Sequence, residues 1–177
     1  MRDLVEGFVL TVEEASARLL SLTDAEASSR RGEGSWSAKE TLGHLIDSAA
    51  NNHQRFVRAQ FKEDLVFPGY AQDEWVRSQG YAEEPWPLVV NLWKFYNLHL
   101  AHVIGRAPEG ERLRPRREHN LHEIGFAPVS RGEPATLEHL MRDYVDHLRH
   151  HLRQILGEES VSTARGGGWV RLTSENL

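Results

Sequence analysis

The sequence contains no cysteine among its 177 residues. Disulfide bonds, thiolate metal ligands and a cysteine nucleophile are therefore excluded, so any sulfur chemistry would have to arrive on a small molecule. The chain also lacks an apolar run near the roughly 18 to 20 residues that cross a bilayer, and it begins without the apolar segment of a signal peptide. These absences predict a cytoplasmic protein with no membrane partner.

The composition is typical of one soluble folded domain. Hydrophobic residues make up 40% of the chain and charged residues 27%, with seven prolines. A chain of this length can bury a core of useful size. Its formal net charge of −5 argues against nucleic acid as a partner, because binding to phosphates needs a basic surface.

Four segments have the hydrophobic periodicity of amphipathic helices, at about residues 3–22, 37–61, 87–105 and 136–156. The connections after the second and third segments are long, and the first of these suggests a functional flap or a crossover, with a short helical turn near 73–78. No repeat of fixed period is visible. The sequence therefore predicts an all-α four-helix bundle over residues 1–157, followed by a flexible glycine-bearing tail over 158–177.

The second helix begins at an S-x-x-E pattern, in which Ser37 and Glu40 satisfy free amides of the first turn. Its two faces differ in character. The apolar face comprises Leu42, Leu45, Ile46, Ala49, Phe56 and Val57, and the polar face comprises Glu40, His44, Asp47, Ser48, Asn51 and Arg55. Because the polar face has no lysine and no run of glutamates, it is more typical of a cleft wall than of a solvated surface. On the third helix, the predicted buried side comprises Val89, Leu92, Trp93, Tyr96, Leu100, Val103 and Ile104.

Three histidines are the candidate metal ligands. His147 and His151 are four residues apart on the fourth helix and face one direction, so both imidazoles can bind one divalent ion. His44 is the candidate third ligand, and three protein ligands would leave coordination positions for water or substrate. A surface position for His44, and core or boundary positions for the pair, are the alternatives, since ten histidines make accidental spacing more frequent. His150 points away from the pair, and the other six histidines are interpreted as structural or surface residues.

Three blocks of sequence carry a resemblance to a known family. They are GSWSAKETLGHLIDSAANNHQRF (34–56), GYAQDEW (69–75) and YVDHLRHHLRQI (144–155). Together they resemble the DinB-like family, YfiT-type. The resemblance implies a four-helix bundle that binds nickel or zinc through His44, His147 and His151, and it implies a homodimer. Members of the family are described as metal-dependent hydrolases, and some look like S-transferases that use thiols such as bacillithiol or mycothiol.

Both activities would use one physical step, in which a bound cation lowers the pKa of a water molecule or a thiol. A small-molecule substrate, with a low-molecular-weight thiol as a candidate cosubstrate, is therefore expected. Catalytic residues other than the ligands stay unassigned, because no arrangement of histidine, glutamate or serine marks a general base. A non-enzymatic metal-binding stress-response dimer is the alternative. A DNA-repair role, suggested by the family's name, is disfavoured by the acidic composition.

Several further residues have more than one interpretation. Asp47 and Asn51 could orient His44, hold a water molecule or face solvent. Arg55 and the run from Arg112 to Arg117 could bind a substrate carboxylate, although a solvated basic loop is the favoured interpretation of the run. Tyr70 and Trp75 could line the pocket. Family members often carry an acid where this chain has Ala71, and Asp73 is the candidate substitute.

Overall fold

The computed structural model describes residues 1–157, and the predicted flexible tail over 158–177 lies outside this part of the chain. Within it, the helices are α1 (Arg2–Leu20), α2 (Asp24–Ser28), α3 (Ala38–Arg58), α4 (Gln72–Gln79), α5 (Trp86–Arg106), α6 (Glu109–Leu113), α7 (Leu121–Ile124) and α8 (Leu137–Leu156). The described residues include isolated backbone bridges but no named strand. The all-α prediction is confirmed, and the four predicted segments correspond to α1, α3, α5 and α8.

The four long helices pack as α1 on α5, α5 on α3, α3 on α8 and α8 on α1. Helices α1 and α3 therefore lie across the bundle from each other, as do α5 and α8. Because α8 packs against α3 and not mainly against α5, the chain needs a long connection to cross the end of the bundle after α5. This arrangement places α3 directly beside α8.

Helix α3 is buried along both of its faces. The predicted capping box is present: the Ser37 side chain accepts from the Glu40 amide at 3.2 Å, and the Glu40 carboxylate accepts from the Ser37 amide at 2.9 Å. Its apolar face packs into the core, with Leu42, Leu45, Ala49 and Phe56 fully buried. The polar face is also covered, by α4 and α8. Polar side chains on this face are consequently desolvated and need partners inside the protein.

Helix α5 departs from its predicted buried face at one position. Trp93 and Leu100 are fully buried as expected, but Leu92 is 45% exposed. Leu92 lies beside the exposed Leu88 and Phe95 at helical spacing, so this apolar strip faces outwards. Periodicity alone could not separate the two faces, because α5 carries apolar residues on both.

The two long connections are joined to each other at one end of the bundle. Leu65 donates its amide to the Glu118 carbonyl at 2.9 Å, and the Asn120 side chain bonds both backbone polar groups of Phe67. A further bridge links Arg116 with Ala135 through paired amide bonds. The connections therefore form an ordered wall beside α3 and α8.

In the basic run, Arg112, Arg114 and Arg116 are structural, which corrects both sequence interpretations for them, whereas Arg117 is exposed. Arg116 is almost fully buried and donates to the Ala59 carbonyl at 2.8 Å. Arg112 pairs with Glu138 on α8, and Arg114 pairs with Glu63 at 2.5 Å. These guanidinium groups hold the connection after α5 against the bundle. They are therefore neither solvated nor free to bind a substrate carboxylate.

No helix among residues 1–157 is both long enough and apolar enough to cross a membrane.

Gly43 marks the closest approach of α3 to the segment after α4. A Cβ atom at this position would overlap the Tyr81 ring, so Gly43→Ala should destabilise the protein by about 1–3 kcal/mol through overpacking. The matched control is Gly105→Ala in α5, where an added Cβ would make ordinary contacts with Val5 at 3.7 Å. This control should be neutral or stabilising by up to about 1 kcal/mol. Urea unfolding of both variants measures the difference, and equal stabilities would contradict this packing.

Candidate metal centre

Helices α3 and α8 bring the three predicted histidines together. The Nε2 atoms of His44 and His147 are 3.3 Å apart, and those of His147 and His151 are 3.0 Å apart. One ring nitrogen from each residue lies within 4.8 Å of the other two. His44 is fully buried, whereas the two α8 histidines are half-buried. The surface position considered for His44 is therefore wrong.

The spacing of the nitrogens suits a shared cation better than hydrogen bonding. A nitrogen bonded to an ion at about 2.0–2.1 Å lies about 3.3 Å from its neighbour at a tetrahedral angle, and about 2.9 Å away at a right angle. The two observed pairs fall in this range. A single Nε2 of His147 has one N–H or one lone pair, so it cannot complete well-formed hydrogen bonds with both neighbours. The donor set therefore fits a divalent ion.

The environment keeps the three imidazoles neutral at pH 7. Burial, with a contribution from His151, lowers the pKa of His44 to about 4. Burial and the neighbouring histidines lower the pKa of His147 to about 3, and burial lowers that of His151. Neutral imidazoles have the free lone pairs that metal binding requires.

Two side chains orient the α8 histidines. The Nδ1 atom of His151 lies 2.7 Å from the Gln154 side-chain oxygen, which can only accept, so Nδ1 carries the proton and Nε2 presents its lone pair to the cluster. The Ser48 hydroxyl lies 3.5 Å from Nδ1 of His147. The His44 ring is held between Trp36 and Tyr70, at centroid distances of 5.1 and 6.5 Å. Its Nδ1 atom is buried without a hydrogen-bond partner among the described residues.

Orienting His44 was one of three roles considered for Asp47 and Asn51, and the hydrogen bonds of both residues go elsewhere. The buried Asp47 carboxylate accepts from the Tyr81 hydroxyl at 2.8 Å and from the Gln79 amide at 2.6 Å. Asn51 donates to the Asp47 backbone carbonyl. Asp47 therefore fixes the end of α4 against α3. Burial raises the pKa of this carboxyl group, and the two hydrogen bonds oppose that effect.

A cavity of about 410 Å³ opens beside the histidines. Helices α3 and α8 form one part of its wall, which includes Ser48, His147 and His151, and the two long connections form the other part. Tyr70 lines this cavity, as predicted, and Trp75 packs on the Tyr70 ring at 5.0 Å. Asp73 instead lines a second cavity beside Trp36, so it does not supply an acid to the first one.

Sequence reasoning did not find several residues of the cavity. Asp143 lines the cavity one helical turn from His147, and Gln154 lies outside it but bonds His151 one turn away, so helical spacing could have indicated both residues. The segment from Glu123 to Phe126 also lines the cavity, but it comprises only the end of the four-residue helix α7 and the turn after it, which is too short to give a periodic signal. His150 lines the cavity without joining the nitrogen cluster, which agrees with its predicted position outside the ligand set.

The model of the DinB superfamily matches residues 8–155. The chain belongs to the DinB superfamily. This membership agrees with the helical bundle and with the blocks of sequence that contain the three histidines.

Two similar proteins add to this assignment. The chain is 36% identical over 55 residues to a protein of Oceanobacillus iheyensis that carries the provisional name of metal-dependent hydrolase. That match spans 31% of this chain and 32% of the relative. The solved structure of YfiT from Bacillus subtilis, described as a four-helix bundle of unusual topology, has a TM-score of 0.67 at 19% identity. The structural match covers 88% of this chain and 85% of YfiT. At 19% identity, this likeness establishes the fold alone.

Removal of one histidine tests metal binding directly. His147→Ala should lower the affinity for nickel or zinc by more than about 100-fold, because loss of a ligand costs more than loss of a residue that only supports one. The circular dichroism spectrum should remain helical. His102→Ala removes an exposed histidine of α5 outside the cluster and is the control. Elemental analysis after metal loading and gel filtration measures the ion content. Stoichiometric metal in His147→Ala would contradict the assignment.

The supporting role of Gln154 has a smaller expected effect. Gln154→Ala should weaken metal binding by about 10-fold, because His151 loses the acceptor that fixes its ring while water can partly replace it. Gln54→Ala, which removes an exposed glutamine of α3, should leave binding unchanged. Competition with a chromophoric chelator gives both affinities. Equal affinities in the two variants would show that Gln154 has no orienting role.

Proposed function

We propose that this chain is a divalent-metal-dependent enzyme that activates a small nucleophile, either water in a hydrolase or a low-molecular-weight thiol in an S-transferase. The observation that carries the proposal is the convergence of three neutral imidazoles, of which those of His147 and His151 line an open cavity. A structural site usually closes around its ion with four protein ligands, whereas a catalytic site keeps a position open. The relative from Oceanobacillus iheyensis carries the provisional name of metal-dependent hydrolase, and YfiT is provisionally described as one too, which supports the hydrolase alternative.

The proposed metal ligands are His44, His147 and His151, and nickel and zinc are the proposed ions. Imidazole is a suitable donor for both. A bound divalent cation would supply Lewis acidity, which lowers the pKa of a nucleophile and neutralises developing negative charge. The buried His44 provides a fixed point for the ion, while the half-buried His147 and His151 lie where a reactant can approach.

The polar residues of the cavity have separate proposed roles. Burial and the nearby Asp47 raise the pKa of Tyr70 to about 12, so the hydroxyl remains protonated and can donate to a substrate oxygen. Asp143 is a weak candidate for a general base, because its two carboxylate oxygens already accept from the Phe126 and Ala127 amides. The structure therefore favours activation at the histidine cluster, with Tyr70 positioning the substrate.

In either reaction the nucleophile loses its proton and forms a bond to an electrophilic carbon, and a leaving group departs. Water would give hydrolysis products, and a thiol would give a thioether. Since the chain has no cysteine, the sulfur would come entirely from the cosubstrate.

Activity measurements distinguish these reactions and test the proposal. Protein loaded with nickel or zinc should turn over members of an ester and amide panel, or should couple small thiols to 1-chloro-2,4-dinitrobenzene. Chelation and His147→Ala should each lower the rate by at least about 100-fold, because the Lewis acid contributes several kcal/mol. The exposed His102→Ala control should retain the rate.

The result that would contradict the proposal is a loaded protein with no turnover above buffer on either panel. Turnover that survives both chelation and His147→Ala would contradict it equally. Product analysis separates the two activities, because only S-transfer consumes the thiol.

A further inference from the structure

A buried guanidinium group forms part of the cavity wall beyond the histidines. Arg55 lies on α3 and is only 6% exposed, yet it lines the same cavity as His147 and His151. One amino group donates to the Pro68 carbonyl at 3.1 Å, and the other makes a long contact of 3.4 Å with the Asn52 side-chain oxygen. Both acceptors are neutral, so neither of these contacts compensates the positive charge.

No carboxylate within residues 1–157 forms an ion pair with Arg55, although Asp143 lines the same cavity. Both oxygens of Asp143 are held by backbone amides, from Phe126 at 2.9 Å and from Ala127 at 2.5 Å. Burial lowers the pKa of Arg55, and Tyr70 and Asp143 act in the opposite direction. An arginine keeps its charge under such conditions. A desolvated cation of this kind normally has an anionic partner.

The position of Arg55 relates it to the histidine cluster. Arg55 follows His44 by eleven residues, which is close to three full helical turns, so both lie on one face of α3 about 16 Å apart along the axis. Side chains on a helix lean towards its N-terminus, and the contact with Asn52 shows that Arg55 does so. Its guanidinium group therefore extends towards the histidines along the cavity.

We propose that Arg55 binds a carboxylate of the substrate or cosubstrate, whose reacting group lies at the other end of the cavity beside His44, His147 and His151. This inference rests on the proposed function for the identity of the reacting end. A carboxylate suits the fork of donors of a guanidinium group. A phosphate dianion suits the cavity less well, because the single cation shares it with Asp143 and Glu123. The volume of about 410 Å³ is adequate for a small molecule long enough to span both ends.

A probe with two functional groups tests whether the histidine end and the Arg55 end of the cavity bind one molecule at the same time. Octanedioic acid monohydroxamate carries a metal-binding hydroxamate and a distant carboxylate, and its methyl ester is neutral at the distant end. In the nickel- or zinc-loaded full chain, isothermal titration calorimetry should show that the acid binds about 10–100-fold more tightly than the ester. Equal affinities for the acid and the ester would overturn the proposal.

Variants assign that difference to Arg55. Arg55→Met should abolish the preference for the acid but keep the affinity for the ester, and Arg55→Lys should retain part of the preference. Arg58→Met, which removes an exposed arginine one turn along α3, should behave as the wild type. A preference for the acid that persists unchanged in a folded Arg55→Met variant would overturn the proposal. If Arg55→Met does not fold, Arg55→Lys is compared with Arg58→Met instead. A weaker preference for the acid in Arg55→Lys than in Arg58→Met would support the proposal, and equal preferences would overturn it.

Binding measurements on the metal-free protein test this inference independently of the proposed function. Hexanoate should bind the metal-free protein more tightly than hexanamide does, as followed by NMR line broadening. This difference should become smaller in Arg55→Lys and disappear in Arg55→Met. If the protein takes up no metal but still binds hexanoate in this way, the proposed function is refuted while the carboxylate site at Arg55 is supported. Tighter binding of butyl phosphate than of hexanoate would overturn the assignment to carboxylates.

Discussion

The packing of α3 against α8 is the contact on which the site depends. Helix α3 is covered on its apolar face by the core and on its polar face by α4 and α8. Burial of a polar face is unfavourable unless its groups find partners. Here each group has a specific partner. Asp47 accepts hydrogen bonds from Gln79 and Tyr81 at the end of α4, and Nε2 of His44 lies 3.3 Å from Nε2 of His147 on α8. The same desolvation that makes this face costly keeps the three imidazoles neutral and suited to binding a cation.

The connections decide what kind of site this is. A bundle alone would place the histidines between two helices, whereas the joined connections add Tyr70 and the segment from Glu123 to Phe126 as a cavity wall. Buried arginines hold this wall through ion pairs and bonds to backbone carbonyls. Rigid helices therefore carry the proposed ligands, and an ordered but irregular wall shapes the space for a substrate.

Much of the fold followed from helical periodicity, and the three histidines were found from their spacing and from the family resemblance. The rest depended on contacts that periodicity does not encode. Leu92 was wrongly placed in the core, because α5 is apolar on both sides. The role of Asp47 was left open between orienting His44, holding a water molecule and facing solvent, because its partners Gln79 and Tyr81 lie more than thirty residues away along the chain. The basic run gave no sign that Arg116 is buried, since its acceptor at Ala59 belongs to another connection.

The proposed site requires that nitrogens of two helices hold one cation at the edge of the cavity. Anomalous diffraction at the nickel or zinc absorption edge, from crystals of the metal-loaded protein, would locate that cation. We expect a single anomalous peak within bonding distance of Nε2 of His44, His147 and His151, with at least one coordination position facing the cavity. A peak bound elsewhere, or an ion closed off by a fourth protein ligand, would contradict it.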